Sequence, residues 1–527
     1  MRLHSLITGL NFYEIQLLSL LVHNTYHLSR IARLKYYSRW SRLRSFLDVY
    51  VKLVSNEGGS VNRTGVVIPF LRQADVPRDM QEILAGSVGL GDYADFYYTV
   101  SVQIGTTTTA LDLDTGSSDL WVISEACHTK TCRSSTSPAY STSLFEPLGP
   151  SMNISYGDSK TSTYAAGPVG LDTVSVAGIS MSEQPFAAIN RTNNAAVSNG
   201  AAGLFGLGFP SESSIQSSVI NAKFNSPATT DTLISNIGKY GPFVSRLVMS
   251  GVIDQPMFAI TLQRDTVDVS GHGAITIGQL PIGVDNSSIT WVPVRLYAPR
   301  DGGIKPPTFA VHEVYPLRWE APLDGVFLDG VQLPASAVQP DGVSSSSTSA
   351  LIDTGNSLIR GPSDVVTNIL STVSPAYASN LHSKATFPCT TPHTLAFKIG
   401  GNMFSVDPRD FVAQNKYGDA KMCVASRVVS TDPPRYGSLF SWSLGVPFLK
   451  SNLVVFYYGN LTHPSVDPPR IGFVSRVPGD APTLLEEAVD RAQQHSGIFS
   501  STREAAPTAT TEIGAVVFCV QYAPEHV

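Results

Sequence analysis

No apolar run in this 527-residue chain approaches the roughly 20 residues needed to cross a bilayer, so no stable membrane span is expected. Charged side chains are sparse, at 15% of residues, and the net charge is −6. A chain without bulk positive charge has no general attraction to phosphate backbones, which argues against nucleic acid as a partner. Cysteine is scarce too, with five in all. There is no Cys-x-x-Cys pair and no Cys/His cluster, so no metal site is expected, and no motif calls for a cofactor. A hydrophobic fraction of 43% nevertheless marks a folded chain.

The charge that is present is unevenly spread. Residues 1–52 hold eight basic groups and two acids, a net of +6, which leaves an acidic remainder able to attract that leader. Arg2 precedes an apolar stretch ending at Val22, but Glu14 interrupts it and His23-Asn24-Thr25 makes a poor cleavage site, so residues 1–25 read as an atypical signal segment. Residues 26–52 have helical periodicity. Sequons at Asn62, Asn153, Asn190, Asn286 and Asn460 are candidate glycosylation sites, compatible with a secretory route. From about Asp92 to Val474 short alternating apolar stretches are broken by Gly, Ser, Thr and Asn, the texture of an all-β body. Roughly 385 residues exceed one sandwich, so two lobes are expected. Thr483 and Glu486 fit a capping box for a helix to His495 ending near Gly497, after which the tail reads as loose.

One pattern occurs twice. Leu111-Asp112-Leu113-Asp114-Thr115-Gly116-Ser117-Ser118 and Ala350-Leu351-Ile352-Asp353-Thr354-Gly355-Asn356-Ser357 are each an apolar strand ending in Asp-Thr-Gly. Leu204-Phe205-Gly206 follows the first copy and Ser443-Leu444-Gly445 the second, the layout of a duplicated lobe. A carboxylate at a strand end, followed by Gly, sits on a turn that another backbone can approach closely. Two such turns face to face bring Asp114 and Asp353 together, and like charges that near share one proton. Either turn alone would be an ordinary surface turn; the pair points to acid–base chemistry.

On these motifs residues 92–476 resemble the pepsin-like aspartic endopeptidases. The resemblance implies an all-β, bilobal fold with a cleft between the lobes, and a monomer acting on polypeptides. It implies Asp114 and Asp353 as the catalytic pair, with Thr115 and Thr354 cross-linking their loops and Gly116, Gly355, Ser117 and Asn356 in support. Trp121, seven residues past Asp114, would hold the tyrosine of a flap formed by Tyr156-Gly157-Asp158. Cys127 and Cys132, five apart, already suit a small disulfide loop; the resemblance adds Cys389–Cys423 as the second bond and leaves Cys519 unmatched. Three departures stand out: Asn356 where Ser or Thr is usual, Val446-Pro447 where an Asp commonly stands, and a short loop, Gly105–Thr109, without the expected Pro.

The resulting expectation is a zymogen of the secretory pathway, secreted or vacuolar. Residues 26–88 would form a basic pro-segment, 89–283 and 284–477 the two lobes, and 478–527 a tail. Asp158 would favour cleavage after Lys as well as after bulky apolar residues, through a counter-charge for a partly desolvated ammonium. The competing expectation is a pepsin-fold binding protein without catalysis, of the kind that has lost an active-site Asp or the flap Tyr; here Asp114, Asp353 and Tyr156 are all present.

Overall fold

The computed structural model describes residues 84–157, 162–224, 226–341, 343, 347–433 and 439–507. The signal segment, nearly all of the expected pro-segment, Asn62, Asp158 and Cys519 lie outside the described residues. No helix among those described is long and apolar enough to cross a membrane.

The chain is mostly β. Seven strands open it: β1 (Gly86–Tyr93), β2 (Tyr97–Ile104), β3 (Thr107–Asp114), β4 (Leu120–Ile123), β5 (Glu146–Tyr156), β6 (Thr163–Val176) and β7 (Ile179–Ile189). They belong to one fifteen-stranded sheet that runs on through Met257–Thr261, Ala274–Ile277, Asn452–Tyr457 and Arg470–Ser475. Strand β1 is the hinge of that continuity. Its first half pairs with Ala274–Ile277, and its second half turns to β2. The boundary expected between residues 88 and 89 therefore falls inside a strand.

The duplication is explicit in the strand register. Strand β3 runs parallel to Gly203–Gly206, with Asp114 opposite Gly206, and β4 pairs antiparallel with the same strand, Trp121 opposite Leu204. In the second half Ser349–Ile352 runs parallel to Trp442–Leu444, and Ile359–Gly361 pairs antiparallel with it, Arg360 opposite Ser443. Each Asp-bearing strand thus enters a turn and leaves along the far side of an apolar strand ending in Leu-Gly or Phe-Gly. Under both turns lies an aromatic cluster. Trp319 and Phe209 have ring centres 4.2 Å apart, and Trp319 and Tyr458 4.9 Å. The Trp319 indole N–H and the Tyr458 hydroxyl both donate to the Leu207 carbonyl, at 2.9 and 2.6 Å, while the Leu207 N–H donates to the carbonyl of Asp114. The Ile352 N–H in turn donates to the Trp319 carbonyl. Apolar packing and a few buried hydrogen bonds therefore fix both turns from below.

The C-terminal region differs from the expectation in two ways. The helix begins earlier, spanning Ala481–Gln494, and no side chain caps it. Pro482 in its first turn suits that start, because proline lacks the N–H that would go unpaired there, and Thr483 is already helical. Leu485, Ala488, Val489 and Ala492 form its buried stripe. Gly497, at φ +73°, closes the end with its N–H on the Ala492 carbonyl. Beyond it the chain is not loose. Ser500–Ser501 pairs with Thr266–Val267, Arg503–Glu504 pairs with Tyr93 and Asp92, and Phe499 is buried. Backbone pairing at a strand edge anchors a Ser/Thr-rich stretch whose composition alone predicts none.

This strap covers two buried acids. The carboxyls of Asp92 and Asp265 each keep one oxygen without a hydrogen-bond partner. Burial, with the charges of Asp95 and Asp265 adding to it, pushes Asp92 up to about 8. Burial pushes Asp265 up to about 6, against a hydrogen bond from Thr502 and with the charges of Glu504 and Asp95. Lys450 is the nearby cation. Both acids hold protons more tightly folded than unfolded, so stability falls as pH rises from about 4 to about 8. The Asp92→Asn variant is expected to unfold at a higher temperature than the parent at pH 8, and the difference should shrink as pH falls and vanish below about pH 4. Equal midpoints at pH 8 would count against this account.

Candidate active site

The two Asp-Thr-Gly turns meet and brace each other. The Thr115 N–H donates to Thr354 Oγ1 at 2.9 Å, and the Thr354 N–H to Thr115 Oγ1 at 3.0 Å. The hydroxyls cross in the opposite sense, Thr115 Oγ1 to the Ile352 carbonyl at 2.8 Å and Thr354 Oγ1 to the Leu113 carbonyl at 2.6 Å. Both threonines are 1% exposed, so these bonds are formed out of water, where losing one partner is most costly.

The glycines make the approach possible. A Cβ at position 116 would lie 2.4 Å from Asp353 Oδ1, and one at 355 would lie 2.5 Å from Asp114 Oδ1. Each turn thus passes directly against the other's carboxyl. The Gly116 N–H donates to Asp114 Oδ1 at 2.8 Å, and the Gly355 N–H to Asp353 Oδ1 at 3.0 Å.

The outer supports are unequal. Ser117 donates its hydroxyl to Asp114 Oδ2. Asn356, in the corresponding place, does not reach Asp353. Its Nδ2 donates to Ser443 Oγ at 2.8 Å, and its Oδ1 accepts from Leu358 N–H and Arg360 Nε, both at 3.1 Å. The direct support of Asp353 expected from Asn356 is therefore absent, because the carboxamide is turned into the adjoining strand. The electrostatics follow this asymmetry. Burial raises Asp114, and the Ser117 hydroxyl and backbone N–H groups work against that rise. Burial and then the charge of Asp114 push Asp353 up to about 8, opposed by the Gly355 N–H and the positive charge of Arg360. The Asp114 carboxyl thus has a hydroxyl donor that the Asp353 carboxyl lacks.

Trp121 and Tyr156 stand together on one side. The Trp121 indole N–H donates to the Tyr156 hydroxyl at 2.7 Å. Tyr156 ends β5, and Gly157 follows at φ +96°; β5 pairs with β6 at the end of the sheet, Tyr156 opposite Thr163.

Two neighbours of the dyad escaped the sequence reading. Asp112 lies two residues before Asp114 on β3, so strand alternation puts both on one face. It is 3% exposed, one of its oxygens has no partner, and burial followed by the charges of Asp114 and Asp353 drives it well above the carboxylate range. Its spacing from Asp114 was the available signal. Arg360 stands seven residues after Asp353 as Trp121 stands seven after Asp114, and that spacing was the available signal.

The disulfides Cys127–Cys132 and Cys389–Cys423 are formed, with Cα atoms 5.9 and 4.8 Å apart. Of the sequons, Asn153 and Asn286 are exposed, Asn190 and Asn460 half-buried. Asn286 Oδ1 accepts the Trp291 indole N–H, and Asn460 Oδ1 accepts the N–H and hydroxyl of Thr462. Among the described residues no group of three or more His, Cys, Asp or Glu is arranged to hold a metal ion.

Residues 97–463 match the family model described as eukaryotic aspartyl protease. The chain is 27% identical to major aspartyl peptidase 1 of Cryptococcus neoformans var. grubii, over 77% of this chain and 74% of that protein. It is 29% identical to rhizopuspepsin-2 of Rhizopus niveus, over 70% and 79%. Pepsin A of Sus scrofa is 27% identical over 72% of this chain and 83% of its own length.

Proposed function

The chain belongs to the eukaryotic aspartyl protease family, and from that premise we propose that it hydrolyses internal peptide bonds at acid pH through Asp114, Asp353 and a water molecule. The observation that carries this reading is the mutual bracing of the two Asp-Thr-Gly turns, which sets the carboxyls against each other with unequal support. In the proposed reaction ionised Asp114, steadied by Ser117 and Gly116, takes a proton from the water. Protonated Asp353 donates to the substrate carbonyl as the water oxygen attacks its carbon. Collapse of the tetrahedral intermediate breaks the C–N bond, and the amine leaves with a proton from the dyad. Tyr156, held by Trp121, closes over the peptide.

The acid optimum follows from the same arrangement, since activity ends when the dyad loses its last proton. The reading extends to a zymogen in which the basic residues of the leader pair with the acidic body near neutral pH and release it on acidification. The two disulfides fit an oxidising compartment, in keeping with a secreted or vacuolar enzyme. The test is cleavage of an unfolded protein between pH 3 and 7 with and without pepstatin. Pepstatin-sensitive cleavage confined to acid pH is expected. A chain inert across that range after removal of its N-terminal segment would favour the non-catalytic binding reading.

A further inference from the structure

We propose that the strap after Gly497 is a pH-sensitive latch: it lies docked on β1 in acid and detaches as pH rises through neutrality, when the carboxyls gathered beneath it ionise. The proposal goes beyond the hydrolytic reading and does not depend on it. The strap and the helix before it lie outside residues 97–463, the stretch that matches the family model. From the helix, which Arg491 ties to Asp268 at 2.9 Å, the strap crosses to β1. The Thr502 N–H donates to the Asp265 carbonyl at 2.9 Å. Glu504 then stands directly opposite Asp92, and Arg503 opposite Tyr93, its guanidinium 4.2 Å from the ring centre. The two backbones lie close. A Cβ at Gly91 would be 2.3 Å from the Ala506 nitrogen, and one at Gly89 3.0 Å from Pro507 Cγ.

Beneath the strap three acids are joined. The Asp95 N–H donates to Asp92 Oδ1 and the Asp265 N–H to Asp95 Oδ1, both at 2.8 Å. Asp92 and Asp265 are 5% and 1% exposed, and each keeps one oxygen without a hydrogen-bond partner. An oxygen so placed is tolerable on a neutral carboxyl and costly on a carboxylate. Docking adds Glu504 as a fourth acid, and like charges directly opposed destabilise an antiparallel pair. The cations are committed elsewhere. Lys450 is shared by Asp95 and Asp410, Arg264 grips Asp410, and Arg409 and Arg491 hold Asp268. Tyr98 donates to Asp95 Oδ1 and to the Gln263 carbonyl, and Ala274–Ile277, paired with the first half of β1, brings no charge. The direction of titration agrees with this geometry. Burial, with neighbouring acids adding to it, holds protons on Asp92 and Asp265 above the usual carboxylate range. Such groups favour the docked state fully below about pH 4 and lose that contribution as pH climbs toward 8.

The experiment is hydrogen exchange on the full-length chain, carrying Asp114→Asn to prevent self-digestion, at pH 5 and pH 9 with times scaled to the intrinsic exchange rates. Peptides covering residues 499–507 should lose protection about tenfold or more between the two, the effect of one unit of pKa difference between docked and released states. Peptides covering the helix Ala481–Gln494 should keep theirs. Asp92→Asn, whose amide oxygen still accepts the Asp95 N–H, should keep the strap protected at pH 9. Glu504→Gln, at an exposed position, should lessen the loss, and it decides the matter if Asp92→Asn does not fold. Equal strap protection at both pH values overturns the proposal. So does a loss spread evenly over strap, helix and core, which is global unfolding, or one that persists undiminished in both variants.

Discussion

Asp114→Asn and Asp353→Asn are each expected to reduce kcat for peptide hydrolysis by about 10²–10⁴-fold, the range general acid–base groups contribute. The two carboxyls have different tasks, one taking a proton and the other giving one, so neither replaces the other. Asparagine keeps the shape and an acceptor oxygen for the Gly116 or Gly355 N–H, and the threonine cross-bracing does not involve the carboxyls. The fold should therefore survive. Both acids hold protons more tightly than ordinary carboxylates, chiefly through burial. Neutralising either should leave the thermal midpoint unchanged below about pH 4 and raise it above that, where the unfolded chain releases a proton that the folded carboxyl retains. Steady-state rates at the optimum, with circular dichroism to verify folding, check this. Retention of more than about a tenth of parental activity by either variant would remove that residue from the reaction.

How much of this could be read from the chain depends on how local the information is. The Asp-Thr-Gly turns were legible because a strand end, a carboxylate and a permissive glycine are consecutive. Their repetition predicted a duplicated body, and the register of Asp114 with Gly206 and Ile352 with Leu444 bears out that layout. Partnerships decided by side-chain direction were not legible. Asn356 was expected beside Asp353 by its place after the glycine, yet a longer carboxamide reaches the Ser443 hydroxyl instead. Asp112 looked like one more polar residue in a strand, and only tertiary burial makes it a further acid near the pair that is driven toward its protonated form. The strap after Gly497 was missed for a related reason. Its composition is that of a free tail, and its order comes from the edge of β1, which lies some 400 residues earlier in the sequence.

The clasp between the two halves yields the largest expected effect on stability. Lys450 Nζ lies 2.7 Å from Asp95 Oδ2 and 3.0 Å from Asp410 Oδ1, and the three side chains are at most 3% exposed. Asp95 belongs to the β1–β2 turn, with Tyr98 and Thr266 also donating to it; Asp410 is gripped through both oxygens by Arg264. Lys450→Met keeps the apolar stem and removes the charge, leaving Asp95 buried without its cation. Breaking a buried pair in this way costs about 3–5 kcal/mol. The sign with pH is fixed by the acids. Burial raises both, but Lys450, with the hydrogen bonds and with Arg264 on Asp410, more than offsets it, so both end below the ordinary carboxylate value. Such groups add stability above about pH 4 that fades as pH falls through their folded values. Without Lys450 the abandoned Asp95 can protonate, so the deficit should be full at pH 7 and smaller near pH 4. Asp95→Asn in the Lys450→Met background should recover part of the loss at pH 7. Urea midpoints at the two pH values check both statements, and an equal deficit at pH 4 and 7 would show that the loss comes from packing and not from an uncompensated charge.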